Sequence, residues 1–159
     1  LEFFLKIFPK LNYISTDVND EILDFQKEKY NYPNFKYFKC YAEDIDECIN
    51  YFKISEKNII LFSSGSLQYV NPFFLEEFFS KKKNYKNINL FINDPVSLSF
   101  INDTSLFSAY KGNTSFSHRY DEYAKNSNLS IIENQVIRPY STDDKQHGQT
   151  GHFDLHLMS

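Results

Sequence analysis

The stretch NIILFSSGS, residues 58–66, decides the fold. Residues 58–63 form an uninterrupted apolar run, which is typical of a parallel strand covered on both faces, and the run predicts a strand at the centre of a sheet. Ser64-Gly65-Ser66 ends this strand, and Asn71-Pro72 begins a helix with a capping residue followed by proline at the first helical position. A strand, a turn and a helix in this order indicate one unit of an α/β fold.

The same strand and helix signals repeat on both sides of this unit. The helix after Pro72 is predicted to bury the face formed by Phe74, Leu75, Phe78 and Phe79. A second buried strand, residues 88–92, is predicted to end at Asp94-Pro95. The remaining predictions are helices over 1–8, 17–29, 45–52 and 119–126, strands over 11–15, 35–41, 129–138 and 151–158, and a long loop over 97–113.

Alternating strands and helices imply right-handed crossovers and a mainly parallel sheet with helices on both faces. The last two strands have no helix between them, and Gly148 and Gly151 in their polar connection favour an antiparallel pair. The sequence therefore predicts a Rossmann-like α/β fold that ends in an antiparallel pair. Its 159 residues, 42% of them hydrophobic, fit one domain over 1–159.

Composition excludes several classes of partner. A net charge of −4 gives no electrostatic footprint for nucleic acid. No apolar stretch approaches the roughly 20 residues of a membrane-spanning helix. Cys40 and Cys48 form neither a CxxC pair nor part of a larger cysteine framework, so we expect free thiols in a reducing compartment, the cytoplasm. The sequence does not indicate an oligomeric state.

Residues 61–70, LFSSGSLQYV, carry a family resemblance. A Ser-Gly-x-Leu-Gln-Tyr run that leads from a strand into a helix resembles methyltransferases encoded in polysaccharide-biosynthesis clusters. The order of the strands resembles the class I methyltransferase fold, which uses S-adenosylmethionine. This resemblance implies methyl transfer to an oxygen of a sugar or another small polar acceptor. It also implies that Ser63, Ser64 and Gly65 approach the cofactor, and that Gln68 and Tyr69 contact the substrate.

The resemblance assigns acidic residues to the cofactor as well. Asp17, after the first predicted strand, matches the acid that accepts hydrogen bonds from the cofactor ribose. A carboxylate at the end of a strand can bind two adjacent hydroxyls, although Asp17 could instead cap the next helix. Glu43 or Asp44, after the next strand, matches the residue that contacts the adenine amino group. The alternative for this pair is a negatively charged first helical turn.

His118 and Arg119 are the candidates for chemistry on the acceptor. His118 lies beyond the strand at 88–92 and could act as general base, with Arg119 orienting the substrate. The alternative is a surface His-Arg pair in a loop. Alternation also places His152, Asp154 and His156 on one strand face, but no second ligand cluster supports a metal site, and we predict none.

One departure from the family makes the functional prediction conditional. The family's first strand and its Gly-x-Gly-x-Gly loop have no counterpart here, because the four glycines lie at 65, 112, 148 and 151. We therefore expect either a partial methyltransferase domain, whose first strand lies upstream of Leu1, or a chain that does not bind the cofactor normally. The competing function is a non-catalytic α/β interaction domain.

Overall fold

The computed structural model describes residues 2–82, 84, 85, 87–97, 100, 103–137 and 150–158, and the side chains of 97, 136, 137 and 150–158 are outside this description. The chain divides into two compact units, Leu1–Tyr51 and Phe52–Ser159.

The first unit is a two-stranded parallel sheet with helices. Its elements are α1 (Glu2–Ile7), β1 (Tyr13–Asp17), α2 (Asp20–Lys29), β2 (Phe35–Lys39) and α3 (Ile45–Tyr51). Strands β1 and β2 are in register from the pair Tyr13 and Phe35, whose rings stack with centroids 5.9 Å apart, to the pair Asp17 and Lys39. The predicted order of elements is confirmed here, with β1 displaced two residues toward the C-terminus.

Asn19, rather than Asp17, caps α2. The side-chain oxygen of Asn19 accepts a hydrogen bond from the backbone N–H of Glu21 at 2.8 Å. The Oδ1 atom of Asp17 accepts from the backbone N–H of Asn19, also at 2.8 Å. The capping role that the sequence allowed for Asp17 is therefore wrong, because the helix begins two residues later than a cap at 17 would require.

The second unit contains a four-stranded mixed sheet. Its elements are β3 (Ile59–Ser64), a 3₁₀ turn (Leu67–Tyr69), α4 (Pro72–Lys82), β4 (Ile88–Ser97), β5 (Ser108–Gly112), β6 (Ser115–His118), α5 (Tyr120–Asn126), β7 (Ser130–Ile137) and β8 (Thr150–Met158). The strand order is β3-β4-β8-β7, with β3 parallel to β4 and the other neighbours antiparallel. The predicted α/β class and its antiparallel closing pair are confirmed. Residues 138–149, within the predicted connection, lie outside the described residues.

Strand β3 is not central in its sheet, contrary to the prediction. It pairs only with β4 among the described strands, so it forms an edge. Ile59 is buried, but Ile60 and Phe62 on the opposite face are 59% and 58% exposed. The apolar run fits a strand covered on both faces, whereas the described chain covers only one.

Strand β4 continues through Asp94-Pro95 to Ser97, so the predicted end of this strand is wrong. It pairs with β8 along its length, from Asn89 opposite Met158 to Ser97 opposite Thr150. On its other side, pairing with β3 ends at Asn93. Pro95 therefore lies where β4 has become an edge, and an edge tolerates the loss of a backbone N–H group.

The predicted loop over 97–113 contains the whole first strand of a hairpin, β5. Strands β5 and β6 pair antiparallel, and Asn113 and Thr114 connect them. Both connecting residues have positive φ, 50° and 59°, which is the backbone of a two-residue hairpin turn with the twist of its strands. The connecting residues are Asn113-Thr114 rather than Asn-Gly or Asp-Gly, so no sequence signal predicts this turn.

Helix α4 contributes one buried face to the core of the second unit. Leu75, Phe78, Phe79 and Lys82 are buried at the i, i+3, i+4, i+7 spacing of one helix face. Phe74 is exposed, contrary to the prediction, because it lies beside this face. The Lys82 ammonium lies 4.5 Å from the centre of the Phe78 ring. Among the described helices, none has the length and apolar character needed to cross a membrane.

Candidate functional site

A cluster of polar side chains surrounds Asp94, where β3 ends beside β4. The side chain of Asp94 is fully buried. Its Oδ1 accepts the backbone N–H of Gly65 at 2.5 Å, and its Oδ2 accepts the hydroxyl of Tyr120 at 2.6 Å. We call Asp94, Gly65, Gln68, Lys111 and Tyr120 the Asp94 cluster. It lies at the carboxyl ends of parallel strands, where open α/β sheets bind ligands.

Gly65 turns the chain at the end of β3. Its N–H also donates to the carbonyl of Asn93 at 3.0 Å, which extends the pairing of β3 with β4 by one residue. Its φ is +76°, which L-residues rarely adopt. A Cβ atom here would meet only the Nε2 of Gln68, at an ordinary 3.6 Å. The requirement for glycine is therefore conformational rather than steric.

Gln68 links this turn to Lys111. Its Nε2 donates to the carbonyl of Gly65 at 2.8 Å, and its Oε1 accepts from the Lys111 ammonium at 2.7 Å. The same ammonium donates to the carbonyl of Pro95 at 3.0 Å. The amide of Gln68, predicted to contact the substrate, is thus buried and oriented from both ends.

The electrostatics of the cluster keep the hydroxyl of Tyr120 protonated beside Asp94. Burial raises the pKa of Asp94, while hydrogen bonds from Tyr120 and from the backbone of Gly65, together with the charge of Lys111, oppose that rise. Burial and the neighbouring carboxylate raise the pKa of Tyr120 well above its usual value. Tyr120 therefore stays protonated and serves as a donor at neutral pH.

His118 lies in a second polar group with Ser108 and Tyr123. Its Nδ1 is 2.7 Å from the Ser108 hydroxyl, which is 2.8 Å from the Tyr123 hydroxyl. Burial, and then the charge of Lys111, lower the pKa of His118 to about 4, against a weaker opposing effect of the Val70 and Leu67 backbone. The Nε2 atom makes no hydrogen bond within the described residues. His118 is 1% exposed, so the surface His-Arg alternative is wrong: β6 carries this side chain into the interior.

Arg119 binds its own chain. Its Nη2 donates to the carbonyls of Phe100 at 3.1 Å and Asp103 at 2.7 Å. The guanidinium carbon also lies 5.3 Å from the centre of the Phe100 ring. These contacts hold the backbone that leads into β5, and a substrate contact of Arg119 stays a prediction.

The other predicted residues of the second unit lie at the end of β3 and in the 3₁₀ turn that follows it. The Ser63 hydroxyl accepts the backbone N–H of Leu67 at 3.4 Å. Ser64 and Tyr69 are exposed, whereas Gln68 is buried. The structure thus brings together Gly65 and Gln68, while Ser64 and Tyr69 present their side chains to solvent.

The predicted cofactor acids belong to the first unit. Asp17 is the last residue of β1, and of its two carboxylate oxygens only Oδ1 is hydrogen-bonded within the described part of the chain. Glu43 is half-buried and Asp44 exposed in the turn before α3, and the described residues supply no hydrogen bond to either carboxylate. The side chains of His152, Asp154 and His156 are outside the described set, as is His147.

Sequence reasoning missed Asp94, Lys111, Tyr120 and Ser108. Asp94 was interpreted as the end of a strand, yet an acid that continues an apolar strand is itself a signal of a paired or functional group. The other three residues were not detectable by pattern. The hairpin that brings Lys111 to the Asp94 cluster and Ser108 to His118 has no turn signal, and Tyr120 meets Asp94 only in the folded chain.

Removing the Tyr120 hydroxyl is expected to destabilise the protein by about 1–3 kcal/mol, because Tyr120→Phe leaves one oxygen of a buried carboxylate without its donor. Urea unfolding monitored by circular dichroism measures this change. Tyr110→Phe is the matched control, since Tyr110 is exposed and keeps its ring contact with Phe116. Equal effects of the two substitutions would contradict the role assigned to the Tyr120 hydroxyl.

No protein-family model matches the chain, and no curated protein sequence does. Solved structures do. A methyltransferase from Methanosarcina mazei superposes with a TM-score of 0.60 at 11% identity, over 96% of this chain and 85% of that one. A methyltransferase from Anabaena variabilis superposes with a TM-score of 0.60 at 11% identity, over 99% of this chain and 72% of that one. A methyltransferase from Leishmania major superposes with a TM-score of 0.59 at 10% identity over 91% of this chain. This chain spans 55% of the length of that protein. All three are S-adenosylmethionine-dependent methyltransferases, and this chain has their fold.

Proposed function

We propose that the chain is part of an S-adenosylmethionine-dependent methyltransferase that acts in the cytoplasm on a hydroxyl of a sugar or another small polar acceptor. The observation that carries this proposal is the fold: a parallel pair, β3-β4, continued by the antiparallel strands β8 and β7. The polysaccharide setting rests on the resemblance of Ser64–Tyr69 alone.

The acids at the ends of β1 and β2 fit the cofactor. A ribose has two adjacent hydroxyls, and a carboxylate with a vacant oxygen can accept from both. Asp17 offers such an oxygen, Oδ2, within the described structure. Glu43 and Asp44 are likewise not engaged by hydrogen bonds of the described residues. These carboxylates would hold the ribose and the adenine amino group, and Ser63, Ser64 and Gly65 would lie against the cofactor.

Positioning supplies most of the expected rate acceleration. The cofactor, when bound, provides an electrophilic methyl group for in-line displacement by the acceptor oxygen. The protein has to hold that oxygen close to and in line with the methyl group, and such orientation can contribute about 7–11 kcal/mol. Gln68 and Tyr69 are the proposed acceptor contacts, with Gln68 fixed by Gly65 and Lys111.

His118 is the proposed base for the acceptor hydroxyl. Its pKa of about 4 keeps the imidazole neutral at pH 7, and in the tautomer that donates Nδ1–H to Ser108, Nε2 can accept the proton that the hydroxyl loses. A base whose pKa lies far below the working pH is a weak one. We therefore assign His118 a smaller share of the acceleration than positioning.

Calorimetric titration of the full-length protein with S-adenosylmethionine tests the proposal. Asp17→Asn is expected to weaken binding about tenfold or more, because hydrogen bonds to a charged group contribute about 1.5–3 kcal/mol. The amide keeps the shape of the side chain and its acceptor for Asn19. Asp24→Asn is the control, since Asp24 is exposed on α2 and, among the described residues, pairs with the surface residue Lys27.

Two results would contradict the proposal. Failure of the folded full-length protein to bind S-adenosylmethionine would favour the non-catalytic interaction domain. If neither Asp17→Asn nor Asp24→Asn changes the binding of S-adenosylmethionine, Asp17 is not part of the cofactor site.

A further inference from the structure

Lys111 carries a positive charge into the Asp94 cluster without an ion-pair partner. Its ammonium donates to Gln68 Oε1 at 2.7 Å and to the Pro95 carbonyl at 3.0 Å, and both acceptors are neutral. Within the described residues no carboxylate lies within ion-pair distance of it, whereas exposed lysines such as Lys27 and Lys125 have acidic partners. An ammonium has three donors, so one remains for another acceptor.

An irregularity in the hairpin places Lys111 in this position. Tyr110 pairs with Phe116 and Gly112 with Ser115, so Lys111 is the extra residue of a β-bulge. A bulge changes the direction in which a side chain leaves its strand, and bulges are common beside active sites. Gly112, next along the chain, has φ +99°. The bulge and the positive φ of Gly112 therefore lie at and next to Lys111, the residue whose side chain contacts Gln68.

Asp94 does not neutralise Lys111 by direct contact. Its two oxygens accept from Gly65 and Tyr120, although its charge stabilises the lysine at longer range. Partial burial lowers the pKa of Lys111, because an ammonium removed from water is less stable in its charged form. An anion that replaced water at the free donor would relieve this cost, since charge-assisted hydrogen bonds are about twice as strong as neutral ones.

We propose that Lys111 is an anion-recognition residue, which receives a carboxylate or phosphate oxygen of a ligand bound at the carboxyl ends of β3 and β4. Two ligands of the proposed reaction could supply this group: the carboxylate of S-adenosylmethionine, or an acidic group on the methyl acceptor. The identity of the ligand rests on the proposed function, but binding of an oxyanion by Lys111 does not.

The test compares three probes by calorimetric titration of the full-length protein: inorganic phosphate, glucose-1-phosphate and S-adenosylmethionine. Lys111→Met keeps most of the apolar stem and removes the charge. It is expected to weaken phosphate binding about tenfold or more, as loss of one charge-assisted hydrogen bond would. Lys57→Met is the control, because Lys57 is an exposed lysine in the turn before β3.

The probes separate the two sources. A loss confined to phosphate and glucose-1-phosphate assigns the group to the acceptor, and a loss that extends to S-adenosylmethionine assigns it to the cofactor. Unchanged binding of all three probes by Lys111→Met, or equal losses in Lys57→Met, would overturn the proposal. If the wild-type protein binds phosphate but not S-adenosylmethionine, the proposed function fails. The effect of Lys111→Met on phosphate binding then still tests the role of Lys111.

A second measurement covers the case in which Lys111→Met does not fold. In the wild-type protein, nuclear magnetic resonance signals of the Lys111 side chain are expected to shift with added phosphate, and those of Lys57 to stay in place. Signals of Lys111 that do not respond to phosphate would overturn the proposal without any substitution.

Discussion

Replacing Phe79 with alanine is expected to destabilise the second unit by about 3–5 kcal/mol, the largest effect of any single substitution that we predict. Phe79 is fully buried on α4. Its ring stacks on Tyr123 with centroids 5.8 Å apart and on Tyr120 at 6.3 Å. Alanine would leave a cavity against both tyrosines. The hydroxyl of Tyr120 belongs to the Asp94 cluster, and that of Tyr123 is hydrogen-bonded to Ser108. Urea unfolding of Phe79→Ala measures the loss.

Phe73→Ala on the same helix is the matched control. Phe73 is 72% exposed, so the same chemical change is expected to alter the free energy of unfolding by no more than about 0.5 kcal/mol. A small effect of Phe79→Ala, close to that of Phe73→Ala, would show that α4 does not pack on α5 as described. A large loss of binding at the Asp94 cluster in Phe79→Ala would follow from the displaced tyrosines.

The second large effect is a loss of stability in acid that depends on His118. Its pKa is lowered to about 4 in the folded protein from 6.5, so the unfolded chain binds the proton more tightly. The stability that His118 contributes is complete above pH 6.5 and is lost as the pH falls through this window toward 4. The shift corresponds to about 3 kcal/mol.

Urea unfolding of wild-type protein and His118→Asn across this pH range isolates the effect. Asparagine can still bond to Ser108 but does not titrate. The difference in stability between the two proteins is expected to shrink by about 2–3 kcal/mol from neutral pH to pH 4. Asp94, whose raised pKa acts in the opposite direction, is common to both proteins and cancels in the comparison. Parallel curves for the two proteins would contradict the buried, neutral state of His118.

Local patterns predicted the order of the elements well. The cap and the apolar stripe of α4 depend on residues within a few positions, and the sequence displays them directly. The antiparallel pair β7-β8 was also predicted, because no helical pattern separates its strands. The position of β3 in its sheet was not predicted, because the pairing of a strand's two edges depends on strands that are far apart in the chain.

The candidate site was only partly predictable, for the same reason. Gly65 and Gln68 were identified from their run after β3. Their partners Asp94 and Lys111 are 29 and 43 residues away from Gly65 and Gln68, respectively, and the contacts form only once β4 and the hairpin are in place. The burial of His118 depends on the same hairpin. A pattern of single residues contains no information about such contacts.

The exposed edge of β3 has a consequence for how the protein behaves in concentrated solution. Natural sheets protect an open edge with proline, with lysine or with a bulge, and residues 59–64 include neither proline nor lysine. Ile60 and Phe62 add an apolar surface beside it. Unless another segment covers this strand, it offers a second molecule both backbone partners and a hydrophobic contact. Solubility, rather than folding stability, is then what limits the concentration at which the protein can be handled.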